Sequence, residues 1–552
     1  MAKVRLVRVT LATPPERLPV LLAGLIGLQR FHPARGPAMG QDIRILLLAS
    51  RAQELYGRAS DLLSDPAFSD LSSVVTPPVE FRSPDLGSAL GEFAEELDTV
   101  RRNLPRAADP AERRALVGVV RAIRGACLAL FRDLQRVLSR PGPRGTVVIE
   151  GFVPGSDRAE LDRRVGAFVT RVEPVAPRGP DDPYIPTLLV NPRAVALFER
   201  FALERGVPKY NEIDPTPIVA LVFPLFFGLM FGDLGHGLAL LALGLYLWRR
   251  TRWTYWGELI LVFGAAAAVV GLVRGVLFGV AFPSPFVRLL AFLPALDARF
   301  TLAYIPLLLE AAIVIGTFHL GSAYAMAIVN QLRSLRYGDA FALGLPTLLL
   351  YASLVPLGFA FLGTGFRPQA LFTSTAVTPF LKPFLGISVP VATTAAIAAP
   401  IVLASLAVLL AAPPLRAFYS RRRGEPLRRA VLDGLLAVVS RPAEFFMNTV
   451  SYVRLAALLI ANTLLGSLVA GALAFGPAGV ALAAFLNVLV MAMEGLIVYL
   501  QDWRLHMFEW FTKFYSGTGT AFDPLSASGP SFRLIWGPGA VPTPLPANAV
   551  AG

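Results

Sequence analysis

Apolar residues are distributed in two ways along this chain. Up to about residue 210 they come in short runs broken by charge. KVRLVRVTL (3–11), IRILLLA (43–49) and TVVIEGFV (146–153) predict strands. PPERLPVLLAGLIGL (14–28) and SDRAELDRRVGAFV (156–169) predict helices, the second capped by Ser156 or Asp157. Roughly 85–140 has helical character with charged faces. Pro105 and Pro110 interrupt it, which predicts two helices in a short antiparallel hairpin between two small α/β lobes. From 216 to 512 the apolar runs lengthen to about 20 residues, enough to cross a bilayer. Eight spans are expected, centred on 217–232, 234–248, 255–281, 303–332, 341–363, 389–412, 443–475 and 480–508. The expected fold is therefore an α-helical membrane domain of eight transmembrane helices (213–515). A cytoplasmic α/β domain with a short helical-hairpin arm (1–212) precedes it, and a cytoplasmic tail (516–552) follows.

Several residues in the membrane half break the apolar pattern. Arg454 stands inside SYVRLAALLIAN (451–462), where a mid-span charge costs about 2.5–3.5 kcal/mol on insertion scales. On a continuous helix Glu444, Asn448, Ser451, Arg454 and Asn462 fall within an arc of about 120°. In the last span Asn487, Glu494 and Gln501 are seven apart and stack on one stripe, with Arg504 about 80° to its side. The short loop FGPAG makes these two spans antiparallel neighbours. Two readings stand: polar groups satisfying one another between helices, or the lining of a water path. An arginine keeps its charge at physiological pH, and a glutamate in a wet crevice binds and releases a proton. Asp233 and His236 in the glycine-rich turn FGDLGHG either hold the first two spans together or serve that path. For His319 packing is the favoured role, and Glu310 is a candidate lining of an external half-channel. Arg274 is read as either a snorkelling helix-end residue or a channel lining, and Asp339 as the surface partner of Arg336.

Composition sharpens this picture. The 552 residues are 55% hydrophobic and only 16% charged, with mean hydropathy +0.58, against roughly 25% charged in soluble proteins. The net charge of +13 is almost all arginine, since there are four lysines. Loops assigned to the inside carry Arg249, Arg250, Arg252, Arg333, Arg336, Arg416, Arg421, Arg422, Arg423, Arg428, Arg429 and Arg441. Those assigned outside carry only Arg288, Arg299, Arg367 and Lys382. Membrane orientation explains the basic balance better than a nucleic-acid partner does, and it puts both termini in the cytoplasm. The first residues lack the apolar core of a signal peptide, in keeping with a cytoplasmic soluble part. Cys127 is the only cysteine, so neither an internal disulfide nor a cysteine-based metal site is expected. No Gly-Lys dipeptide occurs, which excludes a P-loop. No cofactor, metal or nucleotide site is expected. The soluble half shows no catalytic constellation and reads as a docking or scaffolding domain.

SYVRLAALLIAN resembles the SYxRLxALxxAH signature of the membrane stator subunit of V/A-type rotary ATPases, subunit a or I. IDPTPIVALVFPLFFGLMFGDLGHG (213–237), EGFVPGSD, PTLLVNP, GVPKYNEIDPTP, IGTFHLGSAYAMAIVNQLR (315–333) and WRLHMFEWFTKFYSGTGTAFDP (503–524) are similar to further blocks of that family. The resemblance is close from about residue 150 onward and loose before it. It implies that Arg454 is the essential arginine, Arg504 the second membrane arginine and Glu494 the proton-pathway glutamate. The family often has a histidine where this chain has Asn462, a departure that weakens any relay role there. The resemblance implies a stator with two proton half-channels facing a rotating proteolipid ring. Its implied partners are that ring, peripheral stalk subunits, a central-stalk socket subunit and the lipid bilayer, in a prokaryotic plasma membrane. An independent ion transporter or channel is the alternative; it typically carries inverted repeats, and none is evident here.

Overall fold

The computed structural model describes residues 4–36, 39–65, 77–104, 109–176, 179, 181–284, 286, 305–378, 389–419 and 427–536. Pro105, Arg288, Arg299, Lys382, Arg421, Arg422 and Arg423, used in the expectations above, lie outside them. The chain divides into two compact units. One comprises Ala2–Pro177, Asp182–Val190 and Thr518–Gly552, the other essentially Asn191–Gly517 with Arg178–Asp181.

In order, the first unit contains β1 (Leu6–Thr13), α1 (Leu18–Leu28), β2 (His32–Pro33), α2 (Ile43–Leu63), β3 (Val79–Ser83), α3 (Leu86–Asn103), α4 (Pro110–Arg136), β4 (Ser139–Pro141), β5 (Val147–Pro154), α5 (Arg158–Val165), β6 (Val169–Pro174) and β7 (Pro186–Thr187). One sheet has the order β2-β5-β1-β6, with β4 also on β5, and every neighbour is antiparallel. Central β5 is buried along its whole length, which is why it reads as an almost continuous apolar run. Its one charge, Glu150, is held by Arg8 at 2.7 Å and Arg140 at 3.1 Å.

The run 43–49, expected as a strand, forms the first turns of α2. Asp42 caps that helix, accepting the Arg44 N–H at 2.8 Å. Ile45, Ala49, Ala52, Leu55 and Ala59 then face inward at helical spacing, while Ile43 and Leu47 stay exposed. The proline-broken stretch does give two helices, α3 and α4, and α2 packs along α4 in the same core. Asp157 precedes α5 without a side-chain capping bond. A second, two-stranded sheet pairs β3 in parallel with Phe532–Trp536. That late strand belongs to this unit, and Phe532 is part of its core.

The second unit is helical: α6 (Arg193–Ala196), α7 (Glu199–Glu204), α8 (Thr216–Met230), α9 (Leu234–Arg250), α10 (Thr254–Arg274), α11 (Ile305–Arg333), α12 (Leu345–Gly363), α13 (Val391–Tyr419), α14 (Leu427–Val450), α15 (Val453–Ala472) and α16 (Gly476–Arg504). Among the described residues five helical runs are long and apolar enough to cross a membrane: Thr254–Arg274, Ile305–Arg333, Tyr337–Gly363, Val391–Phe418 and Leu427–Lys513. The chain is thus a multi-pass membrane protein. Five runs rather than eight meet the requirement, for identifiable reasons. Helices α8 and α9 have 15 and 17 residues, short of about 20. The 87-residue final run contains α14, α15 and α16 joined by tight turns. Helix α10 stops at Arg274, where Gly275 takes φ +74° and begins a small hairpin, so the expected span to 281 is overextended.

The expected span 443–475 is also not one helix. Ser451 and Tyr452 form a turn between α14 and α15. Glu444 and Asn448 therefore lie on α14 and Arg454 and Asn462 on α15, with i→i−3 hydrogen bonds carrying the backbone across the turn. Between α15 and α16 the connection shrinks to a 3-10 turn, Leu473–Phe475, and Gly476 at φ +67°, a backbone region that favours glycine. Immediately after α16 the backbone widens into a π-helix, Leu505–Trp510.

Candidate functional site

Arg454 is the second residue of α15. Its guanidinium Nη2 lies 3.3 Å from Oε1 of Glu509 in the π-helix, and its side chain is 23% exposed. Its Nη1, and Oε2 of the otherwise buried Glu509, have no hydrogen-bond partner among the described residues. The flanking backbone is firmly fixed. Tyr452 is fully buried, and its hydroxyl meets Nδ1 of His319 on α11 at 2.8 Å. His319 stacks on Trp510, centroids 5.1 Å apart and planes 8° from parallel. The Trp510 indole N–H donates to Ser322 Oγ at 3.0 Å. A Cβ on Gly316 would run into the Tyr452 ring, so the absence of a side chain there lets α11 approach the turn.

Glu494 faces inward on α16 and is buried, with Asn462 of α15 as a side-chain neighbour and neither carboxylate oxygen in a well-formed hydrogen bond among the described residues. Asn487 and Gln501 share that helix. Asn487 Oδ1 lies 2.9 Å from Nε2 of His236, which ties α9 to α16. The Gln501 side-chain oxygen is buried and unpartnered. Arg504, at the last residue of α16, is exposed. Asp233 caps α9 through the His236 N–H at 3.0 Å. It also accepts the N–H groups of Phe278 and Gly279 at 2.9 and 2.7 Å, which explains a carboxylate inside an apolar turn.

On α15, Asn462 is buried and its side chain lies beside the Glu494 carboxylate. It lines a cavity of about 170 Å³ together with Arg274, Thr463 and Ser467. Arg274 is buried rather than snorkelling, donating to Gly232 O and Thr463 Oγ1, both at 2.8 Å. On α14, Glu444 pairs with Lys513 and lies 3.6 Å from Arg441. Asn448 is beside the Tyr324 side chain, and Ser451 Oγ donates back to Met447 O at 3.1 Å. Glu310 is partly buried on α11. Asp339 pairs with Arg416 at 2.5 Å, while Arg336 lies 3.8 Å from Asp181, so the expected Asp339–Arg336 pair does not form.

Sequence reasoning missed Glu509, Asp502 and His506. Asp502 and His506 are buried side by side, Oδ1 3.2 Å from Nδ1, with the Phe227 backbone also beside the Asp502 carboxylate. The signal was charge inside the aromatic segment DWRLHMFEW, but a π-helix has no 3.6-residue stripe from which to read a face. Unpartnered buried polar atoms are costly in a dry interior. Their concentration on α15, α16 and the π-helix is what a water-lined route would relieve.

Residues 136–254 match the V-type ATPase 116 kDa subunit family. An A-type ATP synthase subunit I of Aeropyrum pernix is 28% identical over 442 residues, 73% of this chain and 61% of that protein. The namesake of Methanocaldococcus jannaschii is 25% identical over 504 residues, 81% and 66% of the two chains. That of Archaeoglobus fulgidus is 36% identical over 140 residues, 25% and 20%. The alignments thus span less than two thirds of each of these relatives. Together, the matched profile and these relatives support the V/A-type ATPase subunit a/I family for this chain.

Proposed function

We propose that the protein is the membrane stator subunit of a V/A-type rotary ATPase or ATP synthase. Two aqueous half-channels open to opposite faces of the membrane and do not meet. A neighbouring ring of helices, supplied by other chains, carries one carboxyl per unit. That carboxyl loads a proton from one half-channel, turns through lipid and meets Arg454. The fixed cation favours the ionised form, and the proton leaves by the other half-channel. Glu494, with Asn487 and Gln501 on its stripe, serves one route, and the cavity at Asn462 supports water beside it. The soluble unit anchors peripheral stalks, and a central-stalk socket subunit holds the ring. Eight crossings, cytoplasmic termini and a prokaryotic plasma membrane complete the reading, supported by the arginine distribution among the loops.

The observation that carries this reading is a pair of incompletely satisfied ionisable groups. Among the described residues Arg454 has a guanidinium nitrogen without a partner, and Glu494 is a buried carboxylate beside Asn462, on consecutive helices of one membrane unit. Arg274 on α10 is held through two of its nitrogens, whereas Arg454 has the one contact to Glu509. Replacing Arg454 by Gln or Lys is expected to abolish ATP-driven acidification of vesicles while the complex still co-purifies. Lys fails because it lacks the fork of donors and loses its proton when desolvated. Arg504→Lys, at an exposed helix end, is expected to be milder. Normal acidification by Arg454→Gln overturns the reading.

A further inference from the structure

We propose that Glu509 is the resident counter-ion of Arg454, holding the guanidinium between visits of an exchangeable carboxylate from outside this chain. The inference rests on the stator reading and adds a residue to it.

Three observations carry it. The first is the form of the contact. Arginine and carboxylate can join through two parallel N–H···O bonds, yet this pair uses one, at 3.3 Å, and leaves Nη1 and Oε2 free. Such a grip neutralises both charges without saturating either. The second is isolation. Glu509 is 6% exposed at its side chain, and Lys513, the next cation along the segment, is engaged by Glu444. Among the described residues Arg454 is the ion-pair partner of Glu509, and a buried carboxylate without one is strongly disfavoured. The third is the mounting. Trp510, adjacent to Glu509, and Tyr452, two residues before Arg454, are both fixed to His319. The two backbones are clamped together, and the freedom to exchange partners is left to the two side chains. A π-turn, a feature that recurs at functional sites, carries the carboxylate.

The consequence is kinetic. When an outside carboxylate leaves Arg454, a bare cation in a low-dielectric site would oppose its departure. Glu509 takes over the cation and lowers that barrier. Without it the outside carboxylate becomes the sole anion, and departure slows. The defect is a stall, in which ATP hydrolysis and proton pumping fall together and no leak opens. A merely structural role predicts otherwise: a misplaced Arg454 uncouples the motor, so hydrolysis continues while pumping fails or passive leak rises.

The test uses the assembled complex in liposomes, with hydrolysis, acidification and passive leak measured side by side for Glu509→Gln, Glu509→Asp and Arg454→Gln. The expected result for Glu509→Gln is a parallel fall of at least tenfold in hydrolysis and pumping with unchanged leak. Glu509→Asp, which keeps the charge on a shorter arm, is expected to be intermediate and coupled. Should the Gln variant fail to assemble, the Asp variant decides by the same criteria. Wild-type rates in the deciding variant, or uncoupled hydrolysis or leak, overturn the proposal. If Arg454→Gln is dead while Glu509→Gln is normal, only this inference falls. If Arg454→Gln pumps normally, the stator reading falls with it.

Discussion

Glu494 and Asp233 are both buried acids in a membrane unit, yet they are opposite in kind. Asp233 accepts three backbone N–H groups and is consumed by structure. Glu494 accepts none among the described residues. A carboxylate whose bonding capacity is left open has water or a proton as its natural partner. Replacing Glu494 by Gln keeps the shape and removes the proton site. It is expected to cut ATP-driven acidification at least tenfold with subunit co-purification intact; normal pumping would make Glu494 a structural group. At this scale the sequence was informative about which residues are anomalous, because a charge among leucines is visible in one dimension. It was uninformative about which anomalies are satisfied. The Asp339–Arg416 pair, 77 positions apart, displaces the nearer Arg336, and no spacing rule reaches that far.

The elements decide where the anomalous residues point. Arg454 sits just beyond a break: the turn at Ser451 and Tyr452, closed by i→i−3 hydrogen bonds, ends α14 and starts α15. Tyr452 anchors that turn only because Gly316 leaves room for its ring. Gly316→Ala is a small change by propensity and would favour the helix in isolation. Here the added methyl displaces the Tyr452 ring and, through it, Arg454. We expect at least a tenfold loss of acidification with assembly retained; wild-type pumping by Gly316→Ala would show that the turn tolerates displacement. Strong periodic segments were legible at this level: β1, α1, β5 and the long apolar helices sit where pattern predicts. The turn, the π-helix and the switch of 43–49 from strand to α2 were not. Short apolar runs fit either period, and the choice was made by Asp42 as cap and by the core that α2 meets.

At the scale of the whole molecule, the described end of the chain completes the first unit. Asp133 on α4 accepts the N–H groups of Ser526 and Ala527 at 2.8 Å. His32 stacks on Phe522 and meets the Asp523 backbone at 2.9 Å through Nδ1. Burial, with the charges of Arg136 and Arg35 nearby, pushes the His32 imidazole down to about 4, against a partial upward pull from Asp523. The unfolded chain therefore binds a proton near pH 6.5 that the folded unit refuses. Stability present above that pH is lost as pH falls toward about 4, by on the order of 3 kcal/mol at most. Burial raises the Asp133 carboxyl above its ordinary value, so stability is gained as pH falls through that raised value, opposing the loss at His32. In the full-length protein, amide protection of β3 and Phe532–Trp536 is expected to weaken between pH 7 and 4.5, and to weaken less in His32→Asn. Equal slopes in the two proteins would remove His32 as the cause.

Partition is what the sequence by itself determined: a charged α/β half, an apolar helical half and a short set of residues too polar for their surroundings. Partition follows from solvent transfer, which each segment feels independently and which composition records. Closure was decided only by the tertiary structure. It paired strand β3 with a partner some 450 positions away, set Glu509 against Arg454, and buried Glu494 beside Asn462. These outcomes depend on which donors and acceptors meet once backbones have packed. A hydrogen bond formed across such separations is invisible to local periodicity, because packing brings its partners together and both must give up water to meet.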